Sequence, residues 1–149
     1  MRRIAALLAV SVGLVVALPA APASAKSAEV KMFKQINQIR KAYGVPKLRG
    51  SWSLLYSAKR YARLMMRANY FGHQARIPVA SGWNAAGETL SWHRGWAAKP
   101  QRTLIRWLRS PGHRSVLLSS RYRRIGLGKA RGNYAGTRAT MWVVHVGRR

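Results

Sequence analysis

Two carboxylates serve a chain that carries 28 Lys and Arg, and there is no cysteine. Both acids are glutamates, Glu29 and Glu88, and Asp is absent. A fold made from such a chain has few ion pairs to draw on, no disulfide staple and no thiolate chemistry or thiolate metal site. It must stand on apolar packing and on hydrogen bonds to neutral groups. With 48% hydrophobic residues, including six Trp and six Tyr, the material for that packing is present. The formal net charge is +26, a field that attracts anionic polymers and headgroups with a strong salt dependence. A compositional bias toward arginine produces the same charge without a dedicated partner, so charge alone leaves both readings open.

The N-terminus reads as a processing segment. Arg2 and Arg3 precede an apolar run, Ile4 to Leu18, broken only by Gly13, and Ala23-Ser24-Ala25 supplies a small-residue cleavage site. The run falls short of the roughly 20 residues that span a bilayer, and Pro19 and Pro22 follow it. Residues 1–25 are therefore expected to be a signal peptide removed on export, 26–29 a short tether and 30–147 one domain. Losing Arg2 and Arg3 takes the net charge from +26 to +24. An exported protein of this charge meets anionic cell-envelope polymers and lipid headgroups before nucleic acid, so specific nucleic-acid binding is not expected.

Hydrophobic periodicity predicts four helices and a closing hairpin. Val30, Phe33, Ile36, Asn37 and Tyr43 recur at helical spacing, and Gly44 with Pro46 ends that helix. A second helix is expected after Ser53 as its N-cap, running to Asn69. Leu54, Leu55, Ala58, Tyr61, Ala62 and Met65 face inward, and Lys59, Arg63 and Arg67 form a basic stripe on the other side. That stripe reads as a solvated face, with polyanion docking as the alternative. A third helix spans Lys99 to Leu108, with Leu104, Ile105, Trp107 and Leu108 inward, and a short fourth follows Ser110. Arg124 to Ala130 and Thr140 to Val146 read as strands joined by a turn at Gly132 to Gly136. Residues 74–98 have no clear period and are expected to be loop with room for a short strand. Helices first and a hairpin last imply an α+β domain.

Four His and Glu88 make up most of the catalytic inventory. His73 follows the second helix in NYFGH, Glu88 lies in AAGETLSW, and His113 lies in WLRSPGHR; His93 and His145 complete the set. Ser110 and His113 admit a nucleophile–base reading, but Ser before Pro at the start of an apolar run is first of all a helix N-cap with Pro at N1. At the third helical position His113 would face the positive end of the helix dipole, which favours the neutral imidazole needed of a base or metal ligand. Glu88, surrounded by basic or neutral groups, is expected in a buried or cleft position with its acidity enhanced by cations. Two His and one Glu match the ligand set of a catalytic zinc site with an open fourth position. The alternative is a Glu that orients two imidazoles. Gly126 and Gly128 are read as permitting close packing in a strand rather than as a dinucleotide loop. Trp83, Trp92 and Trp96 either line an apolar groove for a small ligand or fill the core.

The motifs form an ordered set: Asn37-x-x-Arg40, Gly44 and Leu48, Leu55-x-x-Ala58-x-x-Tyr61-Ala62, Phe71-Gly72-His73, Gly87-Glu88-Thr89-Leu90, Trp107 through Arg114, and Tyr122-x-x-Ile125-Gly126-Leu127-Gly128. This set resembles the CAP superfamily (cysteine-rich secretory, antigen 5 and pathogenesis-related proteins) in its compact bacterial SCP-like form. The resemblance implies a three-layer α-β-α sandwich with a cleft whose residues correspond to His73, Glu88 and His113. Fuller members carry a second cleft Glu where this chain has Ser110, and an Asn where it has Thr89. Three functions follow as expectations. The first is a secreted protein whose His/Glu/His cleft binds a ligand, with zinc or another divalent metal as candidate cofactor. The second is a cationic module docking on envelope polyanions, and the third a metal-dependent hydrolase.

Overall fold

The computed structural model describes residues 27–78 and 82–149. The expected signal peptide lies outside the described residues. Helix α1 runs from Ala28 to Ala42, with Ser27 at its N-cap accepting a hydrogen bond from the Val30 amide, so two of the four expected tether residues are helical. Strand β1 is short, Arg49–Gly50, and α2 follows as Trp52–Arg67. Next come β2, Ala85–Arg94, α3, Pro100–Arg109, and α4, Pro111–Leu118. Strands β3, Arg124–Tyr134, and β4, Thr137–Arg148, close the chain. The sheet order is β1-β3-β4-β2, with β1 parallel to β3 and the other pairs antiparallel. Among the described residues no helix is long and apolar enough to cross a membrane.

The hairpin carries the sheet. Both faces of β4 are covered, so its residues sort by parity onto two cores, as a two-residue period requires. Trp142, Val144 and Val146 pack with Met32 and Ile36 of α1, Leu104 and Trp107 of α3, and Leu117 of α4. Ala139, Met141 and Val143 pack with Ala58, Tyr61, Ala62, Met65 and Met66 of α2. This is the α-β-α sandwich, with α2 alone on one side of the sheet.

Gly126 and Gly128 set how closely α2 approaches. A Cβ on Gly126 would lie 2.1 Å from the Leu54 carbonyl carbon, and one on Gly128 would lie 2.2 Å from the Ala58 carbonyl oxygen. Four helical residues advance about 6 Å and two strand residues about 6.7 Å, so glycines two apart on β3 meet successive turns of α2. The close-packing reading of these glycines holds.

Several expectations are corrected. The strand in the 74–98 stretch, β2, is ten residues long rather than short. Its length was hidden because Gly87 and the mixed sequence around it break alternation. The β3–β4 hairpin runs on to Tyr134 and resumes at Thr137, with both turn residues, Ala135 and Gly136, at positive φ (49° and 72°). Helix α2 starts one residue after Ser51, whose hydroxyl bonds Ser53 rather than the helix amides.

Helix α1 buries Met32, Ile36 and Arg40, while Val30 and Tyr43 are exposed. The cause is Arg40, which is fully buried without any carboxylate. Its guanidinium donates to the carbonyls of Pro46 (2.8 Å), Leu117 (2.6 Å), Ser119 (3.1 Å) and Tyr122 (3.4 Å). Leu117 and Ser119 lie at the end of α4, where unsatisfied carbonyls and the negative end of the helix dipole favour a cation. Asn37 completes the arrangement by exchanging two hydrogen bonds with the Leu48 backbone, at 3.0 and 2.8 Å. The Asn37-x-x-Arg40 motif thus holds loops and does not enter the cleft.

Candidate functional site

Strand β2 is an edge of the sheet, so segments from both helical layers meet beside it. The chain leaving α2 supplies His73 and Gln74, the N-terminal turn of α4 supplies His113, and β2 supplies Glu88. Directly across the ladder from Glu88 stands His145 of β4. Beside Glu88 opens a cleft of about 860 Å³ whose walls include His73, Gln74, Arg76, Trp83, Asn84 and Glu88 but not His113 or His145.

Glu88 is buried and both of its oxygens are engaged. Oε1 accepts from His73 Nδ1 at 2.8 Å and from the Gln74 amide at 3.2 Å. Oε2 accepts from Gln74 Nε2 at 3.0 Å and from His145 Nε2 at 2.9 Å. Burial is the largest single influence on this carboxyl and acts to raise its pKa. The hydrogen bonds from His145, Gln74 and His73, with the charge of His145, together outweigh it and hold the group below its ordinary value. Glu88 is therefore ionised near neutrality. An ionised carboxylate only accepts hydrogen bonds, so His73 presents Nδ1–H to it and His145 presents Nε2–H. That assignment turns His73 Nε2 away from the carboxylate, on a side chain 59% exposed beside a Glu88 that is 5% exposed.

His113 and His73 face each other with ring centroids 6.1 Å apart. His113 Nδ1 lies 3.0 Å from Ser110 Oγ, and Ser110, although at the N-cap position with Pro111 next, makes no side-chain bond to the helix amides. The N-cap reading is right about position and wrong about the hydroxyl, which is spent on the imidazole. The pKa of His113 is lowered, first by burial and then by the charge of His73. The direction matches the expectation from sequence, with desolvation rather than the helix dipole as its leading cause. Nearby, Tyr61 donates to the Gly72 carbonyl. Burial, then the negative charge of Glu88, raises that phenol to about 12, so it stays protonated.

All three sequence-predicted residues, His73, Glu88 and His113, come together. Gln74 and His145 were missed. His145 had a signal, a lone polar residue in the apolar run Met141 to Val146, but only the strand register sets it opposite Glu88. Gln74 had none. Thr89, next to Glu88 on the strand, points to the opposite face and is fully buried, so its departure from Asn does not alter the cleft. The three tryptophans share no groove. Trp83 lines the cleft, Trp92 packs edge-on against Tyr134, and Trp96 is half exposed beneath Arg138. His93 has its ring nitrogens beside the backbone carbonyls of Arg94 and Ala98, away from the cleft.

The donor set decides how a metal fits. Glu88 has no free oxygen to give, and among the described residues no group of three or more His, Cys, Asp or Glu is disposed to hold a metal ion. What the cleft offers is two imidazoles, one of them backed by a carboxylate.

An α-β-α sandwich with an edge-strand glutamate held by histidines defines the class of domain, and the comparisons agree with that fold. Residues 33–146 match the family described as "CAP: Cysteine-rich secretory protein family", and the chain belongs to that family. It is 27% identical over 117 residues to the uncharacterized protein YkwD of Bacillus subtilis (strain 168), covering 72% of this chain and 44% of that one. The chain thus spans less than half the length of that relative. Among solved structures, an outer surface protein from Borrelia burgdorferi superposes with a TM-score of 0.67 at 22% identity, over 83% of this chain and 94% of that one. An extracellular SCP-domain protein from Bacillus anthracis str. Ames gives 0.66 at 21% identity, over 82% and 40%. At these identities the structural likeness establishes the fold.

Proposed function

We propose that this is an exported CAP-domain protein whose cleft binds a ligand through the imidazoles of His73 and His113, a divalent metal such as zinc being the candidate to test there. The observation that carries the reading is Glu88, fixed as a buried carboxylate by His73, Gln74 and His145. A metal-binding histidine commonly donates its other ring N–H to a carboxylate, which sets the tautomer and raises the basicity of the free nitrogen. Glu88 does this for His73, and Ser110 engages the corresponding nitrogen of His113. The lowered pKa of His113 keeps that ring neutral and able to donate its lone pair. Glu88 is thus an orienting residue and not a ligand. The reading is of binding rather than turnover, because catalytic zinc ordinarily has three protein ligands.

Export is supported by Arg2, Arg3 and the Ala23-Ser24-Ala25 site, and by relatives described as outer surface and extracellular proteins. Calorimetric titration of the processed protein with zinc tests the cleft. One equivalent should bind, and His73→Ala and His113→Ala should each abolish it. Glu88→Gln should weaken binding about 10–100-fold without removing it. Absence of stoichiometric binding, or binding indifferent to both histidines, would sink the reading.

A further inference from the structure

A second cavity, sharing no lining residue with the cleft, opens between the end of β2 and the outer face of α3. It encloses about 490 Å³, and its walls include Trp92, His93, Arg94, Lys99, Arg102 and Arg106. Four cations face one concavity with no carboxylate among them. None can be recruited from elsewhere, since Glu88 is committed in the cleft and Glu29 pairs with Lys129 at 3.4 Å. Arg102 and Arg106 are spaced i and i+4, so they lie along one side of α3 about 6 Å apart along its axis, and Lys99 stands before the helix at its N-cap, with a positive φ of 44°. Unrelieved like charges at that spacing repel, and an anion laid across them removes the repulsion.

The cavity is held in shape rather than assembled from loose side chains. Its connecting loop is pinned from β4, with Thr140 Oγ1 donating to the Gly95 carbonyl at 2.8 Å and Trp142 Nε1 donating to the Ala98 carbonyl at 2.8 Å. The Gly95 amide donates to the Arg138 carbonyl at 2.7 Å, and both ring nitrogens of His93 stand 3.3 Å from carbonyls of the same loop. Arg94 and Lys99, at the two ends of this loop, are therefore set at fixed separation. The basic stripe of α2, Lys59, Arg63 and Arg67, lines neither this cavity nor the cleft.

Three of the four cations are arginines, whose planar forks match phosphate oxygens in pairs. Their distribution along α3 suits successive charges on a chain better than one compact ion. A nucleic acid would add base stacking on an open aromatic face, and the cavity's own tryptophan offers none: Trp92 is edge-on to Tyr134 at 4.9 Å, while Trp96 lies outside the lining with one face against Arg138 at 4.8 Å. We infer that the β2–α3 cavity is a docking site for a phosphodiester-linked polyol chain, gripped by Arg94, Lys99, Arg102 and Arg106.

Fluorescence anisotropy with a labelled oligo(glycerol phosphate) tests this on the processed protein. Arg102→Gln/Arg106→Gln should weaken binding about tenfold or more and lower the salt slope by about 1.5. Arg63→Gln/Arg67→Gln removes the same charge from the α2 stripe and should change affinity no more than about twofold at physiological salt. Both pairs are exposed, and unchanged melting temperatures would establish that each variant folds. Equal losses in the two pairs would mean a diffuse field and no site. Equal affinity for polyglutamate of matched charge would overturn the phosphate assignment. Tighter binding of a single-stranded oligonucleotide, lost with the same two arginines, would move the site to nucleic acid. His73→Ala should leave binding intact, and a loss there would assign the polymer to the cleft instead.

Discussion

Arg40 and Glu88 are both buried charges in a chain that cannot pair them with each other or with much else, and they are accommodated in different ways. Arg40 is enclosed, with four backbone carbonyls around a group that has five donors. Nothing about it is available to a ligand, and it ties α1 to the end of α4 and to the approach to β3. Glu88 is held by side chains, His73, Gln74 and His145, and one of those holders reaches the open cleft. A charge satisfied by backbone is a joint. A charge satisfied by side chains, one of them exposed, transmits its influence to whatever that side chain touches.

The contrast is sharpest in stability. Arg40→Met should cost about 3–5 kcal/mol, because it leaves buried acceptors without a donor, and a denaturant midpoint reads it directly. A loss below about 1 kcal/mol would mean the carbonyls find water and Arg40 is no joint. Glu88→Gln keeps the shape and should cost less, about 1–3 kcal/mol, since its new NH₂ meets donors already aimed at the site. If the two variants unfold at the same midpoint, the proposed difference between backbone and side-chain satisfaction fails.

Acid separates them next. The folded pKa of Glu88 lies below its unfolded value, through hydrogen bonds and charge that overcome burial. Its stabilisation is therefore complete above the ordinary carboxylate value, about 4.3, and is lost as pH falls through the lower folded value. The gap between wild type and Glu88→Gln should close on that descent. The Arg40→Met gap should persist, because a guanidinium stays charged throughout. An unchanging Glu88→Gln gap would show that its ionisation contributes nothing. The smallest effect belongs to Glu29→Gln. Glu29 meets Lys129 at 3.4 Å near the surface, and its loss should shift stability by no more than about 0.5 kcal/mol.

The same two residues mark what the sequence made legible. Glu88 stood out by rarity, and its position in Gly87-Glu88-Thr89-Leu90 tied it to a family whose fold the structure bears out. The helices and the closing hairpin followed from period. Arg40 was legible as part of Asn37-x-x-Arg40, but its burial was not, because periodicity sorts arginine outward and the carbonyls that reverse this come from residues 46, 117, 119 and 122. His145 was hidden for a related reason: its partner is 57 positions away and is brought near only by strand register. Ile105, placed inward by spacing, is 43% exposed because α3 turns Thr103, Leu104 and Trp107 to the core instead. Local pattern sees faces, and it does not see which distant atoms complete them.

The bare α-carbons of Gly126 and Gly128 work as a gauge block for the whole cleft. They fix the height at which α2 rides over the sheet, and the chain leaving α2 carries His73 toward a histidine rooted in the other layer. A methyl group added at either position would jack the helix away from β3, and a stiff rod passes that lift along its length. The gap between the two imidazoles is thus calibrated by two absent side chains at a distance from it, and a search for cleft-tuning substitutions should begin there.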